Sequence, residues 1–142
     1  MDWQELATTS HYQTAVTVKE ELLKGHIEEA TTGIEELIEA LSRSDKRALR
    51  SQLIRLMTHI IKWKTQPEGR SRSWAATIAS ARVEIAEMLE SEPSLNPLIP
   101  TWLADLFDKA KYVAEKEMGL KTTLTELSWQ EVFDDEYSLG DI

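Results

Sequence analysis

Apolar residues recur at steps of three and four along most of the chain, the spacing that gathers side chains onto one face of an α-helix. The pattern is clearest at Leu49, Leu53, Leu56, Met57, Ile60 and Ile61, where Ser44 is the expected N-cap and Pro67 the stop. After Pro67-Glu68-Gly69, a further helix carries Trp74, Ile78, Ala81, Ile85 and Met88 on one stripe and closes before Pro93. Pro97 and Pro100 predict a turn or a kinked first turn. The next helix, with Trp102, Leu103, Leu106, Phe107, Ala110, Val113 and Ala114 inward, runs to Met118 and stops at Gly119.

The first third reads similarly. Residues from about Asp2 to Lys24 form one or two helices, with Ser10 and Gln13 at capping-box spacing, Gly25 as the stop, and Tyr12, Val16 and Leu23 on a candidate inward face. A second helix to about Leu41 has Thr32 and Glu35 at the same spacing and an apolar stripe of Ile34, Leu37, Ile38 and Leu41. Near the end, Ser128 and Glu131 frame a short capped helix with Trp129, Val132 and Phe133, and Thr122–Thr125 could be extended. These elements predict an all-α fold: a single-domain bundle over residues 1–142, of about five main helices plus a short capped C-terminal helix.

A chain of 142 residues can bury a sizeable core, and 42% apolar residues exceed what a disordered chain carries. The absence of cysteine excludes disulfides, thiolate metal sites and thiol catalysis. No signal peptide or membrane span is expected, and a cytoplasmic location follows as the expectation.

Charge changes the picture more. Residues 43–82 hold ten Lys or Arg against Asp45 and Glu68, a local charge of +8, while the rest of the chain carries −17, giving −9 in all. Such asymmetry means a surface for an anionic partner or a basic middle neutralised by the chain's own acids. Lys46, Arg47 and Arg50 stand near a predicted helix start, where the macrodipole disfavours cations, and Glu35, Glu36 and Glu39 of a preceding hairpin helix are their expected partners.

Within the basic segment, Arg55, His59, Lys62 and Gln66 fall in one stripe with Trp63 at its border, a polar ribbon suited to an anion or simply a solvated face. Gly69-Arg70-Ser71-Arg72-Ser73 lies where a helix begins, so N–H groups, hydroxyls and guanidinium groups there suit a phosphate or carboxylate. Against this, Ser71 or Ser73 is an ordinary N-cap, and the segment lacks the glycine pattern of a phosphate loop. The candidate anion- or partner-binding set is therefore Arg55, His59, Lys62, Trp63, Gln66, Arg70, Ser71, Arg72, Ser73 and Arg82. Tryptophans read as core, with Trp74 expected to be buried and Trp63 the one candidate for exposure. The tail, with Asp134, Asp135, Glu136 and Asp141 around Tyr137 and Leu139, is expected to fold back onto the basic middle.

No catalytic frame emerges. His11, His26 and His59 show neither the H-E-x-x-H nor the Glu-x-x-His pattern of helical metal sites, and no G-x-S-x-G elbow is present. The sequence calls for no metal and no cofactor, and its glutamate runs are those of solvated helix faces.

The stretch His59-Ile-Ile-Lys62-Trp63-Lys-Thr-Gln66-Pro67, then Arg70-Ser-Arg72-Ser73-Trp74 and Thr77-Ile78 with Arg82, resembles a bacterial family described as domain of unknown function 29. Further matches are Glu90-Ser-Glu-Pro93-Ser94-Leu95, Glu117-Met118-Gly119-Leu120, and Trp129 followed by Asp134-Asp135-Glu136-Tyr137. Met118 stands where the family more often has threonine, and the first 42 residues match only loosely. The resemblance implies an all-helical fold and no assigned activity. The expectation is a non-enzymatic protein-interaction module, binding a protein partner or itself; the alternative is nucleic acid or a phosphorylated ligand held by the basic segment 55–82, with no membrane role.

Overall fold

The computed structural model describes residues 1–140, and within them the chain is helical with no strand. It gathers into two compact units, Met1–Arg47 and Ala48 onward.

In the first unit, α1 (Trp3–Thr9) is capped by the Asp2 carboxylate, which accepts from the Glu5 N–H at 3.0 Å. Ser10 then leaves helical geometry and caps α2 (His11–Leu23), its hydroxyl accepting from the Gln13 N–H at 3.0 Å. After α2 the N–H of Gly25 bonds the Leu22 carbonyl and that of His26 the Glu21 carbonyl, a Schellman closure that requires the left-handed Gly25 (φ 80°).

The inward face of α2 differs from the expected one: Tyr12 and Leu23 are each 79% exposed, and Thr14, Thr17 and Val18 are buried instead. Burial of the threonines is possible because their hydroxyls bond the Ser10 and Gln13 carbonyls one turn back, at 2.7 and 2.8 Å. The unit's core is small: Trp3, Val18 and Ala30, with Leu6 against them. Trp3 lies on Gly33 and its indole N–H donates to Glu29 Oε2 at 2.8 Å.

The largest departure from the sequence reading is α3, a single helix from Ile27 to Thr65. Ser44 is not an N-cap, and Thr32 lies inside the helix with its hydroxyl on the Glu28 carbonyl. The reason is that Ser42-Arg43-Ser44-Asp45 contains neither Gly nor Pro, and serine and aspartate cost only tenths of a kcal/mol in a helix interior. Without a hairpin, Glu35, Glu36 and Glu39 cannot face Lys46, Arg47 and Arg50. The acidic run pairs locally, Glu39 with Arg43 one turn on at 3.2 Å.

The second unit holds the main core. Leu49, Leu53, Leu56, Met57, Ile60 and Ile61 of α3 are fully buried as their spacing predicts, together with Ile78, Ala81 and Ile85 of α4 (Arg72–Ser91). A 3₁₀ turn at Pro67–Gly69 follows α3, and another at Pro93–Leu98 follows α4. The expected fifth helix is two: α5 (Ile99–Asp105), with Pro100 harmlessly in its first turn, and α6 (Phe107–Met118). No Pro or Gly marks the break at Leu106. Leu103, Phe107, Ala110 and Ala114 complete the core, and the buried Thr58 hydroxyl contacts the Ala110 carbonyl at 3.4 Å.

Past Gly119 the chain runs without regular structure to a capping box at Ser128 and Glu131. The Ser128 hydroxyl accepts from the Glu131 N–H at 3.1 Å, and Glu131 Oε1 accepts from the Ser128 N–H at 2.9 Å. The turn it opens, Gln130–Asp134, is of the wider π type and buries Val132. Among the described residues no helix is long and apolar enough to cross a membrane.

Candidate functional site: the basic segment and an uncovered apolar stripe

The sequence leaves open whether the basic segment presents a cationic face or is neutralised within the chain, and several of its cations have partners within the chain. Lys62 is buried: its ammonium donates to Glu117 Oε2 of α6 at 2.7 Å and lies 4.9 Å above the Trp74 ring. Lys64 pairs with Glu131 Oε2 at 2.9 Å. Together with the capping bonds around Ser128, that ion pair holds the Glu131 carboxyl below its ordinary range, the backbone N–H of Ser128 being the larger cause.

Arg70 reaches back to the end of α3, its Nε donating to the Trp63 carbonyl at 2.8 Å while the guanidinium covers the Trp63 ring. A cation at a helix C-terminus satisfies an orphan carbonyl and meets the negative end of the helix dipole. This is why Trp63, the one candidate for exposure, is only 5% exposed. Trp74, expected in the core, is half-buried, and Trp129, read as core, is largely exposed and leans on Phe133.

Arg55 donates to Gln52 Oε1 at 3.2 Å. His59 is half-buried and its Nδ1 lies 2.9 Å from the Arg55 carbonyl, which can only accept, so Nδ1 carries the proton. Burial lowers the His59 pKa, the bond to the Arg55 carbonyl opposes this, and the Lys62 charge adds to the lowering. Gln66 flanks the 3₁₀ turn, with its amide close to Gly69. Ser71 is the N-cap of α4, its hydroxyl accepting from the Trp74 N–H at 3.2 Å, while Ser73 lies exposed in the first turn. Arg55, Lys62, Arg70 and Ser71 thus each have a hydrogen-bond partner within the chain.

Arg82 is held differently. Its Nε donates to the Val132 carbonyl at 2.9 Å and an Nη to the Glu131 carbonyl at 3.3 Å, and the guanidinium lies 5.4 Å from the Tyr137 ring centroid. Tyr137 turns back against the core, its hydroxyl donating to the Glu131 carbonyl at 2.7 Å and its ring edge-on to Trp63 at 6.1 Å. Burial, with Asp135 and Glu131 nearby, pushes its pKa up to about 12. The tail therefore folds back through Tyr137, as its apolar residues suggested; Asp141 lies outside the described residues. Between this segment and α4 remains a cleft of about 660 Å³, lined by Arg72, Ala75, Ala76, Ile78, Ala79, Arg82, Glu136, Tyr137, Ser138 and Leu139. Of the sequence-derived candidates, only Arg72 and Arg82 line it. The pairings of Lys62 with Glu117 and of Lys64 with Glu131 are not legible in the sequence, since the partners are distant in the chain.

The first unit offers a surface of another kind. Ile27 (67% exposed), Ile34 (45%), Ile38 (62%) and Leu41 (41%) fall within about 60° of one another around α3 at 100° per residue. They form a stripe beside the face that meets Trp3. Exposed Glu28, Glu35 and Glu39 border the stripe on its far side. The sequence places Ile34, Ile38 and Leu41 on one apolar stripe; the core contacts of this unit use Ala30 and Gly33, whose small size admits the Trp3 ring.

No group of three or more His, Asp or Glu able to hold a metal ion occurs among the described residues. A family model described as "Domain of unknown function DUF29" matches residues 8–138. No curated protein and no solved structure matches the chain.

Proposed function

We propose that this chain, which belongs to the DUF29 family of unknown function, is a helical protein-interaction module whose binding surface is the apolar stripe of α3. The observation that supports the reading is the exposure of Ile27, Ile34, Ile38 and Leu41 on one face of a helix in a unit whose own core is only a few side chains. Contiguous exposed apolar surface rimmed by charge is the usual mark of a protein-binding face. The stripe has the spacing that receives an amphipathic helix, and its border of Glu28, Glu35 and Glu39 favours a partner helix with lysine or arginine along one flank. The same face does not suit a polyanion, and in the second unit Lys62 and Lys64 are already paired with Glu117 and Glu131.

The test is capture of a partner by the wild-type chain and by Ile34→Glu/Ile38→Glu, with the oligomeric state of both measured by light scattering. Binding of a defined partner, or self-association, that disappears in the double variant while helicity persists supports the reading. Undiminished binding by the double variant, or a monomer that captures nothing and shows specific turnover in a metabolite screen, sinks it.

A further inference from the structure

Independently of the apolar stripe, we propose that the cleft between α4 and the Glu136–Leu139 segment binds a monoanionic carboxylate attached to an apolar group. Its volume, about 660 Å³, falls in the range of small-molecule and short-peptide sites. Its floor is Ala75, Ala76 and Ala79, and the Tyr137 ring and Leu139 wall one side, so the body of the ligand must be apolar.

The charge of the ligand follows from the arginines. Arg82 is fixed by two backbone carbonyls and the Tyr137 ring, and neutral acceptors leave its positive charge in place. Two of its five N–H donors are used, and the remainder keep the planar fork geometry that matches a carboxylate. Arg72, at the other end of the floor, makes no ion pair among the described residues. Glu136 also lines the cleft, so the lining carries a net charge of +1, which selects a monoanion. Asp134 and Asp135 nearby disfavour a nucleic acid or polyphosphate. Two sources present this chemistry: a free aryl- or alkyl-carboxylic acid, and the C-terminal residue of a peptide ending in an apolar side chain.

The probes are 4-phenylbutyrate, an acetylated tetrapeptide ending in Leu with a free carboxylate, and the same peptide amidated, each titrated into the full chain and followed by the tyrosine and arginine side-chain resonances. Saturable binding of the acid or the free peptide, at least tenfold weaker for the amide, is expected. Binding of the acid alone identifies a metabolite site, and tighter binding of the peptide identifies a C-terminus reader. Because Arg82 also ties down the tail, the decisive variants are Arg72→Ala, which should weaken binding several-fold, and Ala79→Phe, which should abolish it by filling the floor while thermal stability is unchanged. Equal binding of acid and amide, binding that survives Ala79→Phe, or no binding of any probe by the folded chain overturns the proposal.

Discussion

Gly33→Ala should destabilise the first unit, although the same change in an ordinary helix interior stabilises by about 1 kcal/mol. A Cβ at Gly33 would come within 2.6 Å of the Trp3 ring, closer than any unstrained carbon contact. The ring has nowhere to retreat, since it is buried and its N–H is anchored on Glu29. Either the helices separate, at the ~1–3 kcal/mol cost of overpacking, or the indole leaves and forfeits most of the ~3–5 kcal/mol that deleting a buried aromatic costs. The cheaper response prevails, and set against the helix-propensity gain of about 1 kcal/mol the net loss is about 1 kcal/mol. Amide hydrogen exchange of α1 and α2 reports it directly, because a chain with two compact units is not safely treated as a two-state system. The indole N–H resonance of Trp3 should also shift or broaden. In a Trp3→Ala background the clash is gone, and Gly33→Ala should then stabilise by about 1 kcal/mol, a reversal of sign that a double-mutant cycle isolates. Stabilisation by Gly33→Ala in the wild-type background would refute the close-approach argument.

Trp63→Ala should cost about 3–5 kcal/mol, since the ring is buried beneath Arg70 and edge-on to Tyr137, whereas Trp74→Ala, at a half-buried ring, should cost about half as much; equal denaturant midpoints for the two variants would contradict this. His59 has a folded pKa below its unfolded value near 6.5, so as pH falls through that value the unfolded state takes up the proton first and stability is lost; His59→Gln should flatten the acid limb below about pH 6.5, and an unaltered limb would discount the burial of the ring. Tyr137, with a folded pKa of about 12 against about 10 unfolded, keeps its proton more tightly in the native state, so stability present below pH 10 should be lost as pH rises towards 12; tyrosinate absorbance and Tyr137→Phe, which removes the hydroxyl and this alkaline loss together, check it.

What could be read from the sequence, and what could not, divides by range. The buried stripe from Leu49 to Ile61, the caps at Ser10, Ser71 and Ser128, and the stops at Gly25, Pro67 and Gly119 are local signals carried by a few adjacent residues, and all are found in place. The join between the second and third expected helices was misread because Ser44 is a good cap only where the chain must start a helix, and nothing before it ends one. The stripe of Ile34, Ile38 and Leu41 is legible as an apolar face, but periodicity does not say what covers it. The placement of Trp63 and Trp74 was inverted for a related reason: Arg70, seven residues on, folds over Trp63, and no single-helix pattern contains that contact.

The charge asymmetry is resolved by two different means, and they have different consequences. Lys62 and Lys64 meet carboxylates contributed by Glu117 and Glu131, so their charges cancel at short range. Arg70 and Arg82 meet backbone carbonyls, which satisfy donors but leave each guanidinium its full charge. Within residues 62–82 the positive charge left without a carboxylate partner is therefore carried by arginine rather than lysine. Lysine could not replace these arginines, because a compact ammonium cannot span the Val132 and Glu131 carbonyls while lying over Tyr137 with the planar face that Arg82 presents. Arg82→Lys should thus release the tail and raise the exposure of Tyr137 while leaving net charge unchanged. If its tyrosine titration matched that of the wild type, charge alone rather than the guanidinium fork would be holding the segment.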